Sequence, residues 1–276
     1  MPDNLHNQQN QCFVLFSRSV DKNARKLAKQ FSVRTDFYVL TYDDKGAEQD
    51  KTTDGIRHII YNRESLKRLF KNSNPKFTQE NWTIMPGNLD LCHLLFVWQN
   101  STYEYYWFCE DDVRYTGNMQ EFIEKVKDNL HDLLATNYRK ICDNWWPIRS
   151  YVSPIPDSMS PKSVFLPFFR ISKQGAYNII NAYANGWSGH HEISWPSILL
   201  FHDNTITDLN IVVEGCYTSS PEVMGMGPGS FIYQPPKLFA GVKRNTLYHP
   251  VKPVKEYKKR TSWLIKKKIK ECIGRN

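Results

Sequence analysis

Short apolar runs alternate with stretches of helical spacing along the first seventy positions. Cys12-Phe-Val-Leu-Phe16 is a continuous apolar run, as expected of a strand buried on both faces. From Asp21 to Phe31 the apolar positions Ala24, Leu27, Ala28 and Phe31 recur at the spacing of one helix face. Phe37 to Thr41 predicts a second strand, closed by Asp43, Asp44 and Gly46, and Ile56 to Tyr61 a third. Glu64 to Lys71 reads as a short helix. Strands alternating with helices at these lengths predict an α/β chain built on a parallel sheet.

The pattern continues beyond Gly87-Asn-Leu-Asp90, which opens a predicted helix from Leu89 to Gln99. Tyr103 to Cys109 has the composition of a central strand and runs into Glu110-Asp111-Asp112. Thr116 or Asn118 is placed to cap a helix whose Phe122, Val126, Leu130, Leu133 and Leu134 form one stripe. Ser163 to Ile171 predicts a strand, Ser172 the cap of a helix over Lys173 to Ala184, and Ile193 to Phe201 a helix containing Pro196. Ile211 to Cys216 reads as a last buried strand. Pro221 to Pro236 is loop-rich, and its Gly225-Met-Gly-Pro-Gly229 is either a hinged lid or a plain turn. With no internal repeat or low-complexity linker, the simplest division is one domain over residues 1–253 and a tail over 254–276.

Composition changes this picture at the C-terminus. The 276 residues carry a net charge of +8, which taken whole suggests nucleic acid. Residues 237–276, however, hold 13 of the 36 basic residues and only Glu256 and Glu271 of the 28 acidic ones. The basicity is therefore a tail of net +11 on a body of net −3. The six cysteines are scattered without a CxxC pair, so reduced, mostly buried thiols are expected rather than zinc. No basic-then-apolar leader opens the chain, and no apolar run approaches the ~20 residues of a membrane helix. A cytoplasmic location is the expectation.

The acidic triplet carries the most chemistry. Ligands of open α/β sheets bind outside the carboxyl ends of the strands. Three carboxylates there, behind the apolar Tyr105 to Phe108, are costly unless a cation neutralises them. Mg²⁺ or Mn²⁺, shared with substrate phosphates, would do so; a solvated acidic loop paired with Arg114 is the plain alternative.

Tyr105-Tyr-Trp-Phe-Cys-Glu-Asp-Asp-Val-Arg-Tyr-Thr-Gly117 resembles the DXD-type segment of GT-A fold glycosyltransferases, closest to bacterial and fungal forms with YYW, an acidic cluster, DVR and Thr-Gly. Gly87 to Asp90 with its helix, and Leu247-Tyr-His-Pro-Val-Lys252, are similar to the same group. The resemblance covers roughly residues 10–253 in order. It implies a Rossmann-like GT-A fold, with a mixed, mostly parallel sheet flanked by helices. It also implies Asp112 as metal ligand, Glu110 as ribose, sugar or metal contact, Asp111 on the donor side, and His249 completing the metal shell.

Other positions are weaker candidates. Arg18, in the turn after the first strand, suits a diphosphate because a guanidinium matches phosphate oxygens bidentately. Asp43 follows the second strand, where a carboxylate can accept from ribose or base. Asn88 and Asp90 are either donor contacts or caps of the helix they open. Trp187-Ser-Gly-His-His-Glu192 joins an aromatic face to imidazoles and a carboxylate, which suits an acceptor sugar at Trp187, His190 and His191. It resembles the Trp-Gly-Gly-acid stretch of inverting galactosyltransferases, which implies Glu192 as general base; helix capping by Glu192 and structural histidines stay open.

Lys252 to Lys270 surrounds Trp263, Leu264, Ile265 and Ile269 with cations, the pattern of a helix lying on an anionic membrane surface. No nucleic-acid-binding motif precedes it, so nucleic acid is not expected as a partner. The expectation is a metal-assisted, inverting transferase at the inner face of the cytoplasmic membrane. It moves sugar from a nucleotide-sugar donor, UDP-linked, to a glycan or lipid-linked acceptor. The rivals are a non-catalytic module with a degenerate acidic cleft, recruited to membrane or nucleic acid, and a metal-dependent phosphohydrolase.

Overall fold

The computed structural model describes residues 10–31, 35–70, 75–78, 84, 88–140, 161–220 and 227–273. The chain forms two compact units: one of residues 1–111 and 119–214, the other of 112–118 and 215–276.

The first unit is built on an eight-stranded mixed sheet. Its strands are β1 (Gln11–Phe16), β2 (Asp36–Tyr42), β3 (Gln49–Thr53), β4 (Ile56–Tyr61), β5 (Tyr105–Glu110), β7 (Leu133–Lys140), β8 (Lys162–Ser172) and β9 (Ile206–Asp208), in the order β3-β4-β2-β1-β5-β8-β7-β9. β4, β2, β1 and β5 are mutually parallel; β3 and β8 are antiparallel to their neighbours. The helices are α1 (Lys22–Ala28), α2 (Arg63–Lys67), α3 (Pro75–Thr78), α4 (Asp90–Gln99), α5 (Met119–Lys125), α6 (Lys173–Ala184), α7 (His191–Phe201) and α8 (Leu209–Val212). This is an α/β fold compatible with a Rossmann-like arrangement.

The apolar runs fill the interior as composition demands. Cys12, Phe13 and Val14 are fully buried, as are Tyr106 and Trp107 of β5 and Leu94 to Val97 of α4. Ser172 caps α6 as predicted, accepting from Gly175 N–H at 2.9 Å, and Asp21 caps α1, accepting from Ala24 N–H at 2.8 Å. Cys12, Cys92, Cys109 and Cys216 are buried free thiols and Cys272 an exposed one; Cys142 lies outside the described residues.

Two predicted elements are corrected. Leu133 and Leu134 belong to β7 rather than to the stripe of α5, which ends at Lys125. The buried Arg170 guanidinium, stacked 4.1 Å over Tyr105, donates to the carbonyls of Val126, Asn129 and His131. Those carbonyls are thereby bonded outside a helix, and the chain turns into a strand. Ile211 sits in α8, capped by Asp208, with 77% of its surface exposed, so the predicted strand from Ile211 to Cys216 is absent.

In the second unit β6 (Arg114–Tyr115) pairs antiparallel with β10 (Leu247–Tyr248). Thr116 and Thr246 extend that pairing through their backbones and the Thr116 hydroxyl. Tyr217, Phe231 and His249 pack ring on ring, 5.8 and 5.3 Å apart. The chain ends in α9 (Val254–Ile273), the basic segment of the sequence, here a helix of twenty residues. No described helix is long and apolar enough to cross a membrane.

Candidate metal centre

The order β4-β2-β1-β5 puts the reversal of strand order between β1 and β5, where open α/β sheets receive ligands. Register pairs Phe16 at the end of β1 with Glu110 at the end of β5. Glu110 thus stands at the switch point, opposite the turn that carries the exposed Arg18.

Asp112 follows two residues on and begins the second unit. Its backbone carbonyl accepts from Val251 N–H at 2.8 Å, which fixes the 249–252 segment beside it. His249 Nδ1 bonds the Ile232 carbonyl at 2.7 Å. A carbonyl only accepts, so Nδ1 carries the proton and Nε2 keeps its lone pair in the neutral ring. Burial holds His249 below the ordinary imidazole range, which favours that neutral form. Its Nε2 lies 3.4 Å from Asp112 Oδ1. Two buried acceptors thus converge, and no hydrogen bond from a described residue reaches Oδ1.

Asp112 Oδ2 is bonded by the Lys252 ammonium at 2.5 Å. Burial opposes ionisation of Asp112, yet the carboxyl stays below its usual range, with the Lys252 ammonium bonded to it favouring the charged form. One ligand atom from each of Glu110, Asp112 and His249 lies within 4.8 Å of the others. A carboxylate oxygen and an imidazole lone pair facing each other around a buried, unsatisfied oxygen are a donor set that fits a divalent ion. The protonated Nδ1 on a backbone carbonyl is the usual outer support of a metal-binding histidine. The three residues can hold a metal; which metal is a matter for proposal.

Asp111, between the two ligands, is exposed. Asp43 is an exposed turn residue whose Oδ1 accepts from Lys45 N–H. Asn88 is buried, but the residue before α4 is Leu89 and no side chain caps that helix. Asp90 is fully buried and accepts from Lys76 Nζ and Tyr183 Oη, both at 2.5 Å. Both bonds fall on Oδ2, and they place Asp90 in an interior ion pair.

Around α7 the imidazoles do structural work. His190 is the N-cap, its Nδ1 accepting from Glu192 N–H at 3.4 Å, and its ring stacks on that of His191 at 5.1 Å. Trp187 is only 4% exposed and packs against Phe201, so its ring is a core surface rather than an open stacking face. Glu192 Oε1 accepts from Leu166 N–H at 3.1 Å, where β8 runs past its pairing with β5. Burial raises its carboxyl to about 8, although 13% of the side chain remains exposed. A carboxyl tuned close to neutrality suits proton transfer.

Sequence reasoning missed Lys252 as an Asp112 partner and Lys76 as a fully buried cation. Lys252 had a signal, its spacing of three from His249 in the same motif, but it was also counted with the cations of a segment read as a membrane-surface helix. Lys76 had none. The lid segment at Gly225 and Met226 lies outside the described residues. Protein-family models give no match to this chain, and neither do curated protein sequences.

Proposed function

We propose that the chain is a GT-A-type glycosyltransferase that moves a sugar from a nucleotide-sugar donor, UDP-linked, to a glycan or lipid-linked acceptor. The observation that carries the reading is the convergence of Asp112 Oδ1 and His249 Nε2 at 3.4 Å, directly beyond the end of a central strand. Asp112, His249 and Glu110 would hold Mn²⁺ or Mg²⁺, and the ion when bound would neutralise the leaving diphosphate. His249 contributes a lone pair aimed by the Ile232 carbonyl, and Asp112 contributes charge held ionised by its neighbours. Arg18 and Asp43, in turns after β1 and β2, are proposed donor contacts, as is Asp111, between Glu110 and Asp112 in the chain. Glu192 is the proposed base of an inverting transfer, ionising near pH 8 to accept the acceptor hydroxyl's proton.

The helix α9 is proposed to lie on an anionic membrane. It carries eight basic residues against two acids, and Trp263, Ile265 and Ile269 are each about half exposed along it. Titration of the protein with a panel of nucleotide sugars in Mn²⁺, read by calorimetry, tests the donor class. Tight binding of one donor that disappears on chelation supports the reading, and no binding by any donor removes it.

A further inference from the structure

Lys252 divides the Asp112 carboxylate between two partners. Its ammonium takes Oδ2 at 2.5 Å, while Oδ1 faces His249 Nε2 at 3.4 Å. The lysine is held there by its own backbone: Lys252 N–H donates to the Lys237 carbonyl at 2.9 Å, and the preceding Val251 N–H to the Asp112 carbonyl. Only 12% of the lysine side chain and 5% of the aspartate are exposed, so water screens the pair little.

We propose that Lys252 is a positioning residue that makes divalent-ion binding at Asp112 conditional on a diphosphate ligand. The proposal rests on the metal-assisted transferase reading. With Oδ2 bonded to an ammonium, Asp112 offers an incoming ion one oxygen rather than a bidentate pair. The ammonium also cancels the carboxylate's charge, and the neutral His249 adds none. The pair of Asp112 and Lys252 therefore attracts a free cation only weakly. A diphosphate brings both the missing charge and further oxygen ligands, so ion and nucleotide bind tightly only together. The enzyme would thereby hold its metal when a donor is present and release it with the product.

The test is Mn²⁺ binding to the full chain, followed by the electron paramagnetic resonance of free Mn²⁺, with and without saturating UDP. For the wild type, UDP is expected to tighten Mn²⁺ at least about tenfold. Lys252→Met is expected to bind Mn²⁺ alone at least about tenfold tighter than the wild type, with most of the UDP effect gone. Lys252→Arg, which keeps the charge, should behave as the wild type. Lys252→Gln is the equivalent neutral variant if the methionine form does not fold. Wild-type Mn²⁺ affinity in a folded neutral variant overturns the proposal and leaves the metal reading standing. A wild type that binds no Mn²⁺ with or without UDP overturns both.

Discussion

His249 turns Nε2 toward Asp112 Oδ1 at 3.4 Å while its Nδ1 proton is donated to the Ile232 carbonyl. Neither atom can donate to the other, so the approach is unfavourable without a cation. Lys252 supplies one positive charge from the far side of the carboxylate. The consequence for folding is direct. Asp112→Asn leaves the lysine ammonium in a shielded position without its counter-charge. The expected loss of stability is about 2–3 kcal/mol, somewhat below that of a fully buried pair because Lys252 keeps some solvent contact. Urea denaturation checks it. The double variant Asp112→Asn/Lys252→Met should lose less than the sum of the two singles.

Glu192 predicts a pH dependence with a definite sign. Its carboxyl titrates near 8 in the folded chain, against about 4.3 unfolded. Between those values the folded state binds one more proton than the unfolded one, so stability falls as pH rises through this window. The slope is at most about 1.4 kcal/mol per pH unit for one group. Glu192→Gln keeps an oxygen for Leu166 N–H but cannot titrate. The variant should therefore gain on the wild type steadily from pH 5 to pH 8 in thermal melts. A constant difference across that range would show that Glu192 is not raised.

The interior ion pair of Lys76 and Asp90 makes a separate prediction. Both side chains are buried, and Tyr183 also donates to Asp90. Lys76→Met strands the carboxylate and should cost about 3–5 kcal/mol. Asp90→Asn strands the lysine and should cost a similar amount, while the double variant should recover much of the loss. Additive losses in urea denaturation would show that the two do not interact.

The helix α9 can be tested on vesicles. Ile265→Asp with Ile269→Asp removes two exposed apolar contacts without touching the lysines. Binding to vesicles containing phosphatidylserine should weaken at least about tenfold in this variant and fade in high salt for the wild type. Unchanged binding in both conditions would remove the membrane surface as a partner.

Much of the fold could be read because single elements obey single rules. β4 matches the strand predicted over Ile56 to Tyr61, and α6 runs from the Ser172 cap to Ala184 as the spacing predicts. The failures came where a distant residue decides. The helical spacing through Leu133 continues past α5, but Arg170, far along the chain, bonds the carbonyls that a helix would need. At the candidate site, Asp112 was legible as a carboxylate at a strand end and His249 through the motif that carries it. Lys252 closes that motif too, but nothing in the spacing says that its ammonium is held against the Asp112 carboxylate rather than exposed with the other lysines. The burial of Trp187 was equally hidden, since an aromatic beside glycine and histidine fits a sugar platform and a core position alike.

The central claim is that Asp112 and His249 hold the ion that assists departure of a nucleoside diphosphate. Its most direct test is nucleoside diphosphate release from a panel of nucleotide sugars in Mn²⁺, comparing wild type with Asp112→Ala and His249→Ala. Release is expected from one donor, abolished by chelation and reduced at least about a hundredfold in both variants. Release that survives both substitutions, or none from any donor by the wild type, would contradict it.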